Sequence, residues 1–173
     1  IRRASAGLCG RTGCRRARGL MQPHLAPESV AYAALLVTSF ERLTGRALVS
    51  GPRGDLAEAL FHHQQPVVSH GVQDDPVFRY GNAAALSLWQ MGWETFTRLP
   101  SRHSAQADPE IQSDRSALLA KALQTGWVAD YSGIRISAKG QRFRISDTIL
   151  WTVTDASGVR HGQAALIGAV QML

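Results

Sequence analysis

The sequence predicts an α+β domain with a five-stranded antiparallel sheet, several helices between its strands and an N-terminal helix before it. Two observations lead to this class. Apolar residues recur at mixed spacings of two, three and five over 28–43 without an internal Gly or Pro, which predicts a helix. Two short strand-like runs follow, then three helical segments, and the last third consists of three strand-like segments separated by tight turns. Consecutive strands joined by tight turns pair antiparallel, which gives the expected sheet.

Positive charge is concentrated in the first twenty residues. The 173 residues include 19 Lys and Arg against 13 Asp and Glu, a formal net charge of +6. Residues 1–20 hold six arginines and no acid, so residues 21–173 carry 13 side chains of each sign. Because the formal charges of residues 21–173 cancel, this part of the chain predicts neither a nucleic-acid partner nor a membrane partner.

Residues 1–20 have no apolar run and no helical period, so we expect a disordered basic extension rather than a signal peptide. Two interpretations stay open for it. A mis-set translation start, with Met21 as the true start, is the one we favour; the other is a basic targeting or anion-binding arm.

Cysteine usage excludes several function classes. Both cysteines, Cys9 and Cys14, lie in the basic extension. Residues 21–173 therefore cannot form a disulfide, a cysteine metal site, a cysteine nucleophile or a cysteine–flavin adduct. We expect 21–173 to form one cytoplasmic domain, with a helical lead-in at 28–62 and a core at 66–170.

Helix signals delimit the lead-in and the middle of the chain. Pro27 precedes the first helix, over 28–43, and Gly45 follows it, while Asp55 is placed to cap a short helix. Asn82 is a candidate cap for the third helix. The further expected elements are helices at 56–62, 83–91, 94–99 and 110–124, and strands at 67–70 and 77–80.

The strand-like segments in the last third of the sequence predict strands at 128–137, 142–154 and 159–170. Alternation in the second strand predicts one core face and one solvated face. The expected core face carries Phe143, Ile145, Ile149, Trp151 and Val153. The expected solvated face carries Arg142, Arg144, Ser146, Thr148 and Thr152.

Asp147 departs from this alternation because it falls among the apolar residues. A carboxylate on an apolar face must be paired or relieved by a bulge. It is therefore either a buried acid paired with Arg135 or with a ligand cation, or a residue turned outward by a β-bulge.

Six separated stretches resemble, in order, the MEKHLA family of PAS-like domains. They are 69–71, 75–86, 92–102, 131–137, 140–145 and 162–165. The resemblance extends over residues 24–168, and several motifs in the right order are specific where one alone would be weak. It implies a PAS-like five-stranded sheet with helices on one face that enclose a small cavity, and a sensory or regulatory role.

The family includes stand-alone bacterial proteins and the C-terminal part of plant homeodomain–leucine zipper factors. Since this chain has no homeodomain and no heptad run, the resemblance implies the stand-alone bacterial form without DNA binding. Our leading hypothesis is a sensor that binds a small molecule in its cavity and signals to a protein partner. The alternative is a ligand-free interaction domain that dimerises through the 28–43 helix and an exposed sheet face.

An uncharacterised enzyme is the third hypothesis, and we expect no enzymatic activity. The sequence has no glycine-rich phosphate loop and no Gly-x-Ser-x-Gly elbow, and the family supplies no catalytic set to transfer. The cofactor is left unknown. A ligand-binding role predicts a cavity of about 300 Å3 or more.

Candidate ligand contacts come from aromatic and polar residues that would line such a cavity. Large flat side chains provide stacking surfaces, and an arginine provides a bidentate donor for a carboxylate. The candidates are Tyr80, Asn82, Trp89, Trp93, Tyr131, Arg135, Asp147 and Trp151. The simpler interpretation, which we favour, makes the tryptophans core residues, places Arg135, Arg142 and Arg144 on the solvent side of the hairpin, and makes Asn82 a helix cap.

Histidines are weak candidates for metal or haem ligands. His70, His103 and His161 are plausible axial donors, but no pair has metal-ligand spacing. His62 and His63 are adjacent, so on a helix they point about 100° apart. We expect no metal site.

Overall fold

A computed structural model describes residues 22–173, and the basic extension expected at 1–20 lies outside them. The helices are α1 (Pro27–Thr44), α2 (Leu56–Phe61), α3 (Ala83–Trp89), α4 (Trp93–Phe96) and α5 (Pro109–Thr125). The strands are β1 (Val67–His70), β2 (Phe78–Gly81), β3 (Trp127–Ile136), β4 (Arg142–Thr154), β5 (Arg160–Leu166) and β6 (Ala169–Met172). Short 3-10 turns cover Pro23–Leu25, Arg53–Asp55 and Ser101–Ser104. The expected order of elements is confirmed.

The strands form one antiparallel sheet in the order β2-β1-β5-β4-β3, and β6 also pairs with β4. The α+β class is therefore confirmed. The final strand, expected as one segment at 159–170, is divided, because β5 pairs with the second half of β4 and β6 with the first half. None of the helices within 22–173 combines the length and apolar composition needed to cross a membrane.

Local signals set most helix ends. Gly45 ends α1 in the left-handed region at φ 70°, and its amide donates to the Glu41 carbonyl at 2.9 Å. The helix expected at 83–91 ends earlier, because Gln90 takes the left-handed conformation at φ 57°. Asp55 precedes α2, but its side chain makes no capping hydrogen bond. The segment expected as a helix at 94–99 is helical only over Trp93–Phe96.

Asp147 divides β4 into two parts with opposite facing. It adopts φ 50°, its side chain is exposed, and the β3–β4 register shifts beside it. Of the two interpretations, the structure therefore supports the outward-turning bulge. A Cβ on Gly168 would lie 2.5 Å from the Asp147 carbonyl oxygen, so only glycine fits where β5 gives way to β6.

The bulge makes the predicted facing of β4 wrong. Phe143 and Ile145 pack on one side of the sheet with residues of α3 to α5, whereas Ile149, Trp151 and Val153 pack on the other side with α1. The expected solvated face is also buried beyond the bulge, since Thr148 is 0% and Thr152 7% exposed. Helices therefore cover both faces of this part of the sheet, while Arg142 and Arg144 are exposed as expected.

Candidate functional site

A small cavity lies between the sheet and α5, with a volume of about 50 Å3. This is well below the volume of about 300 Å3 that we expected for a ligand site. The lining residues are Val68, Ser69, His70, Phe78, Trp89, Ser104, Arg115, Leu119, Tyr131, Arg135, Ile145, Leu150, Gln163, Ala164, Ala165 and Ile167. Most are apolar, so the few charged and polar groups define what the cavity can bind.

Arg135 reaches the cavity from β3 and is only 6% exposed. One terminal nitrogen, Nη1, donates to the Ile134 carbonyl at 2.8 Å, and Nη2 donates to the Tyr131 hydroxyl. The guanidinium carbon lies 5.3 Å from the centre of the Tyr131 ring. A Cβ on Gly133 would lie 2.7 Å from the Tyr131 hydroxyl and 3.0 Å from Arg135 Nη1. Glycine at 133 thus provides the space in which these two side chains meet.

Arg115 approaches the same cavity from α5. Its Nη2 donates to the Ser101 hydroxyl oxygen at 2.8 Å. Burial, together with the positive charge of Arg135, lowers the pKa of Arg115 to about 10. Arg115 is therefore still a cation at neutral pH, and it faces a second cation.

Neither arginine is neutralised by a carboxylate among residues 22–173. No Asp or Glu in this range lies within ion-pair distance of Arg115 or Arg135. Asp75, whose charge acts on Arg115 at longer range, is hydrogen-bonded to Arg102 at 3.0 Å. The cavity therefore has an excess of positive charge.

His70, at the end of β1, adds an unsatisfied polar atom to the cavity. Its Nδ1 lies 2.8 Å from the Gly71 carbonyl oxygen, so Nδ1 carries the proton and Nε2 is left as an acceptor. His70 is 8% exposed, and its buried Nε2 has no hydrogen-bond partner among residues 22–173. Burial lowers the pKa of His70, and the charges of Arg115 and Arg160 lower it further.

Three of the eight candidate ligand contacts lie together at the cavity: Trp89, Tyr131 and Arg135. The favoured alternative for Arg135, a solvent-side residue of the hairpin, is wrong. Arg135 pairs directly with Phe143 across β3 and β4, so its side chain lies on the same buried, cavity-facing side of the sheet. Trp89 forms one wall, with its ring 5.2 Å from that of Phe143.

The other five candidates lie elsewhere. Tyr80, Trp93 and Trp151 pack in the cluster on the α1 side of the sheet, and Asp147 is at the surface rather than paired with Arg135. Asn82 caps α3 by accepting from the Ala85 amide at 3.0 Å, which confirms the interpretation we favoured.

Sequence reasoning did not assign Arg115, Ser104 or Gln163 to the site, and it considered His70 only as a haem ligand. Arg115 had a signal: it stands four residues after Ile111 and four before Leu119, on the apolar side of α5. A lone arginine on an apolar helix face indicates a buried charge. Ser104 and Gln163 carried no comparable signal.

A second polar cluster joins the 3-10 turn at Pro23–Leu25 to α2. Glu58 lies 2.9 Å from His24 Nε2 and 3.4 Å from His62 Nε2. The three offer one ligand atom each within 4.8 Å of one another, so they are the described residues that could hold a divalent cation. Their mutual hydrogen bonds hold the pKa of Glu58 below its usual value. His24 and Glu58 are 34 positions apart in the sequence, which explains why spacing alone did not reveal the cluster.

The fold is that of the PAS sensory domains. The PAS domain of a protein from Colwellia psychrerythraea superposes with a TM-score of 0.57 at 12% identity, covering 66% of this chain and 93% of that chain. The photo-excited blue-light photoreceptor Vivid gives 0.57 at 14% identity, covering 83% and 98%. An RNA-binding light-oxygen-voltage receptor gives 0.55 at 19% identity over 66% of this chain, which spans about a third (32%) of that receptor.

The sequence profile of the MEKHLA domain matches residues 30–172. The chain therefore belongs to the MEKHLA domain family, and the resemblance noted in its motifs is confirmed. A search of curated proteins gives no match.

A flavin, which a light-oxygen-voltage relative would suggest, does not fit this site. The cavity volume of about 50 Å3 is far below that of pockets that bury molecules of such size, about 300–1,000 Å3. Residues 22–173 also contain no cysteine to form an adduct. Among the polar groups of the cavity, the two arginine cations and the acceptor nitrogen of His70 suit a much smaller and negatively charged molecule.

Proposed function

We propose that this chain is a sensory module of the cytoplasm that binds a small molecule between the sheet and α5 and passes the resulting change to a protein partner. One observation carries the proposal. The cavity holds one polar atom that the described protein leaves without a partner, His70 Nε2, and an unpartnered buried nitrogen costs about 1–3 kcal/mol. A ligand that donates a hydrogen bond to this nitrogen would recover that cost. The proposed role is binding rather than catalysis.

A hydrogen-bonded connection links the cavity wall to α1. Ser69 stands on β1 next to His70, and its hydroxyl donates to the Gln163 carbonyl at 2.8 Å. The Tyr32 hydroxyl on α1 lies 2.7 Å from the Ser69 hydroxyl oxygen. A shift of β1 on ligand binding would therefore reach α1, which supports the first helix as the element that a partner reads.

The same helix argues against the interaction-only alternative. That hypothesis required α1 to offer an apolar face for dimerisation. The apolar residues of α1 are already buried against the sheet, among them Leu36, Val37 and Phe40. The sheet face beneath α1 is occupied by the domain itself.

Native mass spectrometry of the freshly purified full chain, compared with its denatured mass and an absorption scan, tests the proposal. We expect a stoichiometric extra mass that is lost on denaturation. Ala165→Met, which adds volume at the cavity wall, should abolish the extra mass, whereas Ala138→Met at the exposed hairpin turn should retain it. A clean apo mass, together with a dimer that grows with concentration, would instead support the interaction domain.

A further inference from the structure

The polar end of the cavity suggests the chemical class of the ligand. Resting on the proposed function, we propose that the cavity binds a short 2-hydroxycarboxylate, with its carboxylate between Arg115 and Arg135 and its hydroxyl donating to His70 Nε2. Three observations support this assignment: the charge of the cavity, the unused acceptor and the size of the space.

The positive charge of the two arginines in the cavity favours an anionic ligand. Arg115 and Arg135 line one cavity of about 50 Å3 and no described carboxylate neutralises either of them. Two like charges in a partly desolvated space repel each other, and an anion between them removes the repulsion. Guanidinium groups bind planar carboxylates through paired, charge-assisted hydrogen bonds.

The acceptor nitrogen of His70 favours a ligand that also carries a hydrogen-bond donor. His70 Nε2 carries a lone pair, because Nδ1 is committed to the Gly71 carbonyl. A carboxylate alone has no hydrogen to offer this nitrogen. A hydroxyl on the neighbouring carbon provides one, so a single small molecule satisfies the cations and the acceptor together.

The size and walls favour an organic ligand of a few heavy atoms. A space of about 50 Å3 holds more than one water but excludes a nucleotide or a flavin. The walls beyond the polar groups are apolar and include Val68, Phe78, Leu119, Ile145 and Leu150. A short alkyl carbon skeleton meets these walls better than an inorganic oxyanion, which needs polar partners on every side.

Calorimetric titration of the full chain, after dialysis in carboxylate-free buffer, tests the assignment with three probes of similar size. Lactate should bind about tenfold tighter than propionate, which lacks the hydroxyl. Propionamide, which lacks the charge, should bind at least about tenfold more weakly than propionate. Arg115→Gln and Arg135→Gln should each weaken lactate binding at least about tenfold, while Arg144→Gln, an exposed arginine of β4, should leave it unchanged.

A His70→Phe variant should lose the difference between lactate and propionate and keep the difference between propionate and propionamide. Circular dichroism establishes that each variant is folded. Equal affinity for propionamide and propionate would overturn the inference, and so would equal affinity for propionate and lactate in the unaltered chain. A neutral molecule recovered by native mass spectrometry would overturn the inference while leaving the proposed function in place. An apo mass combined with no binding of any probe would overturn both.

Discussion

The indole N–H of Trp151 donates a hydrogen bond to the hydroxyl oxygen of Ser39 at 3.1 Å, which joins β4 to α1 across 112 residues of sequence. Both residues are 0% exposed, and the Trp151 ring meets that of Phe40 edge to face at 5.0 Å. The N-terminal helix is thus an integral layer of the domain.

Replacing Trp151 with Ala should lower the free energy of unfolding by about 3–5 kcal/mol. The change removes a fully buried indole ring between α1 and the sheet and leaves the Ser39 hydroxyl without its donor. Urea denaturation followed by fluorescence and circular dichroism measures the loss. The exposed Arg142 of the same strand, replaced with Ala, should change stability by less than about 0.5 kcal/mol. Equal stability of the two variants would contradict the assigned packing.

The order and the approximate limits of the elements could be predicted because the residues that begin and end helices and strands act locally. Pro27 and Gly45 act within a turn of their own position, and so does the cap that Asn82 makes to the Ala85 amide. The facing of β4 could not be predicted in the same way. Strict alternation assumes a continuous ladder, and the ladder of β4 is interrupted at Asp147, where its β3 register shifts and its other partner changes from β6 to β5. Asp147 indicated an irregularity, because a carboxylate stood among apolar residues. It did not indicate which half of the strand would change face.

Gly168→Ala should destabilise the protein by about 1–3 kcal/mol. The added Cβ would lie 2.5 Å from the Asp147 carbonyl oxygen, and that atom belongs to the backbone and cannot move aside cheaply. Thermal unfolding monitored by circular dichroism detects the change. Gly54→Ala is a matched control, since a Cβ there meets nothing within 4 Å and the residue has no positive φ. A Gly168→Ala protein as stable as Gly54→Ala would refute the close approach of the two strands at the bulge.

Asn82→Asp should destabilise the domain at neutral pH by about 2 kcal/mol, even though Asp is a favoured helix cap. The Asn82 side-chain oxygen accepts from the Val67 amide at 2.9 Å and from the Ala85 amide at 3.0 Å. Its Nδ2 donates to the carbonyls of His63 and Gln65 at 3.0 and 2.9 Å. A carboxylate would place an oxygen against these two carbonyls.

Protonation of the introduced acid restores a donor, so the deficit relative to the native chain should shrink as the pH falls. Urea unfolding of both proteins across the acid range measures this. If Asn82→Asp matched the native chain at neutral pH, the Asn82 amide nitrogen would have no role in joining α3 to the segment before β1.

The pKa of His70 should make stability pH-dependent in the weakly acid range. Burial lowers this pKa from its ordinary value of 6.5, so the unfolded chain takes up a proton that the folded chain does not. The free energy of unfolding should therefore fall as the pH drops below 6.5, by at most about 1.4 kcal/mol per pH unit. Denaturant unfolding at several pH values measures the slope.

The slope should be reduced in His70→Phe and kept in His103→Phe, which replaces an exposed histidine. Identical slopes in these two variants would show that His70 does not titrate as its buried position requires. The comparison needs no ligand, so it tests the environment of His70 independently of the proposed binding role.

The cavity was less predictable from sequence than the fold. Aromatic content and one arginine suggested the site, and Trp89, Tyr131 and Arg135 do meet there. The second cation, Arg115, comes from a helix far along the chain and became relevant only when α5 packed over the sheet. Sequence spacing carries no information about such a meeting, whereas an arginine on an apolar helix face does mark a residue to examine.

The bulge at Asp147 also determines how β4 should tolerate mutation. Before it, the strand alternates between exposed and buried positions over 142–146, and after it every position over 148–153 is buried. A lysine scan would therefore alternate between tolerated and harmful positions in the first part and be harmful throughout the second. Related sequences should therefore vary at alternate positions over 142–146 and vary little at any position over 148–153. The two halves of one strand are then under different selective constraints.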